Sequence, residues 1–583
     1  MPTPPATGDE VGLPAWLPDE ATMNRLAGEF FSALPGGTAA LPGAADEPGV
    51  PAVGGPVPAG LPAADAPPGV PRAGVSPPSG PPPTSAPTAI GTTAAGIGLP
   101  FLPTLAPVAE PVSGPYYFLS GAPTYPPAAP ALPGFGQFEQ PSLAAPPAPA
   151  LSRSGFYFLD DGPATVPPLP LDPHPAFDVH AVRRDFPILS ELVNGRPLIW
   201  LDNAATTQKP QAVIDRLVSF YTHENSNIHR AAHELASRAT DAYESARDTV
   251  ARFLGAGSAD EIVFVRGTTE AINLVAQAWG RRHVREGDEI IISHLEHHAN
   301  IVPWQMLAKE TGAVIKVIPV DDAGQLLLDG YTALLSDRAK LVAVTHVSNA
   351  LGTVTPVEQI VELGHRAGAT VLIDGAQSVP HTPINLQEMA ADFFVFSGHK
   401  VFGPTGIGVL YGREEVLADT PPWQGGGNMI TDVTLERSLY KLPPDRFEAG
   451  TANIADAAGL ATALDYVERI GMPTIASYEH SLLEYATAGL RGIPGLRLVG
   501  TAAEKASVVS FVLAGYTPEE VGSALNEEGI AVRGGHHCAQ PILRRLGLEA
   551  TVRPSLAFYN TCDEIDTLVA AVHRLALRSG HST

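Results

Sequence analysis

The chain has 583 residues, among them 59 prolines and 57 glycines, and only 17% of its side chains are charged. A formal net charge of −25 argues against a nucleic-acid surface and against docking on anionic lipid, since both need clustered lysine and arginine. Two cysteines, Cys538 and Cys562, are too few for a disulfide framework and suit a reducing, cytoplasmic compartment.

Composition is uneven along the chain. Residues 1–175 hold 41 of the 59 prolines, no lysine, and 13 acidic against 3 basic side chains. Such a Pro/Ala/Gly-rich tract has too little apolar bulk to offset chain entropy and reads as a disordered tether. Its start lacks the basic and apolar regions of a signal peptide. The uncharged run Thr88 to Ala109 is interrupted by Pro100, Pro103 and Pro107, each costing roughly 3 kcal/mol inside a helix, so it reads as coil and not as a membrane span.

Three islands interrupt the tract. In 18–34, Met23, Leu26, Ala27, Phe30 and Leu34 fall on one helical stripe that opens at Pro18 and closes at Pro35-Gly36. In 113–123 and 154–163, the units Tyr116-Tyr117-Phe118-Leu119 and Phe156-Tyr157-Phe158-Leu159 repeat each other, each after Ser-Gly and before Gly and Pro. Aromatic anchors on a string are expected to dock on a partner. The bland alternative is that they fold back onto the chain's own core.

From Phe177 onward, strands are expected at Glu261–Val265, Glu289–Ile292, Val314–Val320, Lys340–Thr345, Thr370–Ile373 and Phe393–Phe396. Helical periodicity fills the gaps, as in Thr269–Trp279 and Val357–Ala367. This alternation predicts an α/β domain over 176–583 with a mostly parallel sheet. A large part is expected over about 195–430, and a smaller α+β part over 431–583 plus 176–194. Ligands bind beyond the carboxyl ends of such strands, so the residues that follow them are the candidates.

Gly267-Thr268-Thr269 opens a helix and can cradle a phosphate, although an ordinary threonine cap is as good a reading of that segment alone. His294, His297 and His298 raise a metal site, but no further ligand stands at suitable spacing. Asp374 ends a strand, where a buried carboxylate waits for a cation. Ser397-Gly398-His399-Lys400 precedes a glycine-rich run. Its lysine is either a solvated charge or a desolvated amine able to condense with an aldehyde. Together these supply a phosphate cradle, a carboxylate for a ring nitrogen, an imidazole to stack and an amine to condense, the parts list for pyridoxal phosphate.

The segments "LDNAATTQKP", "RGTTEAINLVAQAWG", "EHHANIVPWQ", "HVSNALGT", "DGAQSVPH", "SGHKVFGPTGIGVLYG", "FEAGTANI", "RGGHHCAQP" and "RPSLAFYNTCDEID" resemble the Suf-type cysteine desulfurases, class V aminotransferase-like enzymes of PLP fold type I. The resemblance runs from about Phe177 to the C-terminus. It implies a covalent hold on the cofactor by Lys400, Asp374 at the pyridinium nitrogen, Gln377 and Asn349 on the ring's O3′ side, and His297 on the ring face. Thr268, Thr269, Ser397 and His399 would hold the phosphate, and Thr451 would reach the phosphate of a neighbouring subunit in a homodimer. Arg553 would clamp the substrate carboxylate, with Arg533 and Asn349 beside it. Cys538 would be the nucleophile, its thiolate favoured by a nearby imidazolium or a free backbone N–H, while Cys562 is expected to begin a helix and has no role.

What the resemblance implies, then, is conversion of L-cysteine to L-alanine. Sulfur would pass through a Cys538 persulfide to an acceptor protein, for iron–sulfur clusters or related products, and no metal would take part. Two departures stand out. Ala452 replaces a common proline after "EAGT", and Gly534 stands where a larger residue is frequent, which predicts a looser cysteine loop. Residues 1–175 are similar to the N-terminal regions of desulfurases packaged as cargo in family 2 encapsulin shells, which implies a nanocompartment location. Selenocysteine lyase, cysteine sulfinate desulfinase and a related C–S lyase keep the fold and change the substrate. An interaction or scaffold protein acting through its N-terminal half is the reading from another class.

Overall fold

The computed structural model describes residues 177–229 and 233–578. The three N-terminal docking segments lie outside the described residues. The central element is a seven-stranded sheet. Its strands are β1 (Ile262–Val265), β2 (Glu289–Ser293), β3 (Val314–Ile318), β4 (Ala339–Thr345), β5 (Thr370–Asp374), β6 (Phe393–Ser397) and β7 (Gly408–Gly412). In space they run β1-β7-β6-β5-β4-β2-β3. All neighbours pair in parallel except β7, which is antiparallel to both β1 and β6.

The strands are near-continuous apolar runs because helices cover both faces. Alternate residues enter opposite cores. Ile262, Phe264, Val342, Val344, Val371, Ile373, Phe394 and Phe396 join one, while Val263, Val265, Leu341, Ala343, Leu372, Phe393 and Val395 join the other. All six expected strands are present, although β3 stops at Ile318. The expected helix from Thr269 is α-helical only over Thr268–Val275 and then widens into a π-turn over Ala276–Gly280.

The seventh strand was not foreseen, because its entry is written in glycine. A Cβ on Gly408 would lie 2.5 Å from the Gly267 Cα. The residue that lets β7 slide in beside β1 therefore also hides its strand character.

A second, four-stranded antiparallel sheet contains β8 (Leu496–Val499), β9 (Ser510–Leu513), β10 (Arg533–Gly535) and β11 (Thr551–Arg553), in the order β8-β9-β11-β10. Two long helices, Met472–Arg491 and Cys562–Arg578, pack on each other and bury Leu482, Leu483, Leu568 and Val572 with Phe511 and Val552. The short strand Ile199–Trp200 pairs in parallel with Ile530–Ala531, which ties the first described residues to this C-terminal unit. Among the described residues no helix is long and apolar enough to cross a membrane.

Candidate active site

The carboxyl ends of β1, β4, β5 and β6 open onto a cleft of about 180 Å³, closed on its far side by β10, β11 and the loop between them. Thr268, Thr269, His297, Asn349, Asp374, Gln377, Ser397, His399, Lys400, Arg533, Cys538 and Arg553 all line it. Of the residues expected in the site, Thr451 is not brought there. It is exposed, in a turn that lines other surface hollows. Ala452 next to it packs against the core.

At one end of the cleft, Thr268 begins an eight-residue helix. Its N–H donates to Ser397 Oγ at 2.9 Å, and the two hydroxyls lie 2.9 Å apart. Thr269, beside it, is exposed and lines the same space as Thr268, Ser397 and His399, at a helix start, where an anion is stabilised. His399 is held below the ordinary imidazole range, at about 4, by burial and by Lys400. It is therefore a neutral hydrogen-bonding ring.

Asp374 ends β5 at 3% exposure. It accepts the Ala376 N–H at 2.9 Å, and burial raises its carboxyl while Lys400 opposes that rise. Lys400 follows β6, and burial pulls its amine down to about 8. Desolvation disfavours the ammonium, so about a tenth of the side chain is already the free amine at pH 7, far more than an ordinary lysine. His297 is brought to about 3 by burial and by Lys400, and its Nδ1 accepts the Ala299 N–H at 3.0 Å. A neutral imidazole with a fixed tautomer suits stacking on a ring. Gln377 donates to Ala204 O at 2.6 Å, which fixes its amide.

On the opposite wall, Arg533 and Arg553 stand across from each other in the β10/β11 register. Arg553 is 1% exposed and donates to Asp202 Oδ1 at 2.8 Å and to Asn349 O at 3.0 Å. Asn349 Nδ2 in turn donates to His537 O at 2.6 Å, linking the cysteine loop to the guanidinium clamp. Cys538 is half-buried, and both it and His537 hold left-handed backbone at φ +54°.

Two expectations for this loop are corrected. Of the two histidines that precede Cys538, His536 and His537, the second cannot supply the imidazolium expected near the thiol. It is buried against Thr551, with Nε2 2.8 Å from Oγ1, and burial with Arg553 and Arg533 holds it far below the imidazole range. The cations facing Cys538 are instead Lys400 and Arg553. Gly534 does not loosen the loop. It is paired with Val552 in β10, and a Cβ there would fall 2.7 Å from Pro518 O, so glycine permits a close strand–helix contact. Among the described residues no group of three His, Cys, Asp or Glu side chains, His294, His297 and His298 included, is arranged to hold a metal.

The fit to pyridoxal phosphate can be tested on unsatisfied groups. Asn349 Oδ1 and Arg553 Nε are buried among the described residues without a partner, which is costly unless a polar ligand meets them. With the helix start at Thr268, the buried Asp374 and the free amine of Lys400, the donor set matches a phosphate, a ring nitrogen and an aldehyde. Pyridoxal 5′-phosphate is the cofactor that fits.

Three positions were not singled out from the sequence. Asp202 orients Arg553 from 351 residues away. Glu296, with no exposed surface, accepts from Asn300 Nδ2 (2.6 Å), the Thr345 N–H (3.1 Å) and Ser293 Oγ, and burial pushes it up to about 8. It anchors the turn that carries His297. Glu448 receives Arg247, Tyr243 and the Phe264 N–H and fixes the turn before Thr451.

Comparison with known proteins agrees with this geometry. Residues 199–568 match the family model described as aminotransferase class-V. A probable cysteine desulfurase of Mycolicibacterium paratuberculosis is 68% identical over 448 residues, 75% of this chain, and the match spans about two thirds (65%) of that relative's length. A cysteine desulfurase of Dickeya dadantii is 51% identical over 68% of this chain and 97% of its own. The crystal structure of the Escherichia coli cysteine desulfurase CsdA, in an S-sulfonic acid form, superposes with a TM-score of 0.65 at 39% identity, over 69% of this chain and 99% of that one. The chain belongs to the class-V aminotransferases of PLP fold type I, and within them to the cysteine desulfurase family.

Proposed function

We propose that this protein is a PLP-dependent cysteine desulfurase of the Suf type, which converts L-cysteine to L-alanine and retains the sulfur as a persulfide on Cys538. The observation that carries this reading is that one enclosed cleft is lined by Lys400, Cys538 and Arg553 together. When bound, the cofactor supplies a sink for the electron pair left as the substrate Cα–H breaks. Arg553 binds the substrate carboxylate bidentately, as its planar fork allows, and Arg533 adds positive charge to that wall. Lys400 Nζ, held near neutral pH by burial, takes the Cα proton. Cys538 Sγ attacks the substrate sulfur. The new S–S bond uses the thiolate pair, the C–S bond breaks with its pair going to carbon, one proton completes the methyl group, and Lys400 Nζ returns the proton it took to Cα, giving alanine.

Selenocysteine lyase, cysteine sulfinate desulfinase or a related C–S lyase would use the same fold, but a sulfinate elimination needs no thiol at Cys538. Alanine release from cysteine, selenocysteine and cysteine sulfinate, in wild type and Cys538→Ala, separates these readings. Cysteine turnover is expected to be lost in the variant. Full-rate turnover of cysteine by the variant would overturn the desulfurase mechanism.

The organisation we propose places a tether over 1–175 and the enzyme over 176–583, with a large part at about 195–430 and a small one at 431–583 plus 176–194. Thr451, exposed and rigidly preceded by Glu448, would complete the phosphate site of a second subunit in a homodimer. The sulfur would go to an acceptor protein for iron–sulfur cluster assembly. The repeated aromatic units in the extension support docking to an encapsulin shell in the cytoplasm. The Mycolicibacterium match also covers more of the chain than 177–583 comprises, so part of the extension is shared. Deleting residues 1–170 is expected to abolish co-purification with shell protein while leaving cysteine turnover intact. Retained packaging would rule out the tether, and a main role lost without any shell would favour the scaffold reading.

A further inference from the structure

His298 and His536 belong to the two double-histidine motifs, yet neither lines the cleft. The Cys538 N–H donates to His536 Nδ1 at 3.0 Å, and the Cys538 carbonyl accepts the His298 N–H at 2.7 Å. The Gln540 N–H, two residues on, points to His298 Nε2 at 3.4 Å. The two rings stack with centroids 5.7 Å apart and planes at 28°. The Cys538 peptide is thus held on its N–H side by the His536 imidazole and on its carbonyl side by the His298 backbone N–H, while the His298 ring, stacked on that of His536, accepts from Gln540 two residues on. Between the grips, His537 and Cys538 are two consecutive non-glycine residues in left-handed backbone, a conformation that persists only while its surroundings impose it.

We infer that His298 and His536 are positioning residues that clamp Cys538 at the cleft while both are neutral, and release its loop when they are protonated. This inference rests on the proposed role of Cys538. The ring contacts use lone pairs, on His536 Nδ1 toward the Cys538 N–H and on His298 Nε2 toward the Gln540 N–H, and a proton on either nitrogen removes an acceptor that a backbone N–H occupies. Two stacked imidazolium rings would also repel. The titratable groups in contact with the pair are His297 from the same turn and His537 and Cys538 from the loop. Burial and His536 already hold His298 below its ordinary range. A loop that is closed at neutral pH and strained can deliver sulfur into the cleft, and the same strain drives it outward once the grip is gone.

The test is the rate at which iodoacetamide alkylates Cys538 in the holoenzyme, read by mass spectrometry of its peptide at pH 5 and pH 8. His298→Ala and His536→Ala are expected to be alkylated about fivefold faster than wild type at pH 8, the scale of one neutral hydrogen bond. At pH 5 the ratio should approach one, and the ratio cancels the thiol's own ionisation. His536→Asn and His298→Gln, which keep an acceptor but cannot titrate, should match wild type at pH 8 and react more slowly than wild type at pH 5. Alanine variants that fold with an unchanged melting temperature and react at the wild-type rate would overturn the clamp. A variant-to-wild-type ratio that is the same at both pH values would overturn its release by protonation. Alkylation is read without turnover, so an enzyme fully alkylated at Cys538 that still processes cysteine would instead defeat the proposed function.

Discussion

Arg553 is almost wholly enclosed, and its orientation depends on Asp202 Oδ1 and Asn349 O. A charge-assisted bond of this kind is worth roughly 1.5–3 kcal/mol. Asp202→Ala should therefore raise KM for cysteine by about tenfold or more, with a smaller change in kcat, as steady-state alanine release will show. Lys400 gives a pH prediction. Its folded-state pKa of about 8 means that the nucleophilic free amine grows as pH rises through that value. The rate at which apoenzyme captures pyridoxal phosphate, followed by absorbance, should climb about tenfold between pH 7 and pH 9 and then flatten. That Lys400, Asp374 and Cys538 meet in one cleft was legible, because each stands at a strand end or in a glycine-rich segment that resembles a desulfurase motif. The role of Asp202 was not, because a carboxylate reveals nothing until its partner, 351 residues on, is placed beside it.

At the scale of elements, the parallel strands were legible because burial on both faces forces unbroken runs of Val, Ile, Leu and Phe. β7 escaped because the close approach of its first residue to β1 requires Gly408, and the glycine-rich loop before it looks like a turn. The helix Glu234–Leu254 contributes a second hidden feature. Its Arg247 is 2% exposed and donates to Glu448 at 2.7 and 3.1 Å, fastening the turn that presents Thr451. Removing one partner of such a pair leaves a buried charge uncompensated, at a cost of about 3–5 kcal/mol. Arg247→Met should lower denaturant stability by that order. An unchanged midpoint would show that the pair is incidental to the fold.

At the scale of the molecule, the cleft exists because two sheets far apart in sequence meet. The large sheet supplies the helix start at Thr268, Asp374 and Lys400, and the small one supplies Arg533 and Arg553 with Cys538 in the loop between them. On the proposed reading, cofactor chemistry and sulfur chemistry sit on different structural units, and His298 and Asn349 of the first contact the loop and Arg553 of the second. The measurement that reaches the centre of this account is mass spectrometry of the Cys538 peptide after holoenzyme meets L-cysteine in the absence of reductant. The peptide is predicted to gain the mass of one sulfur atom, removable by dithiothreitol, with one alanine released per subunit. Alanine release while Cys538 stays an unmodified thiol would contradict it.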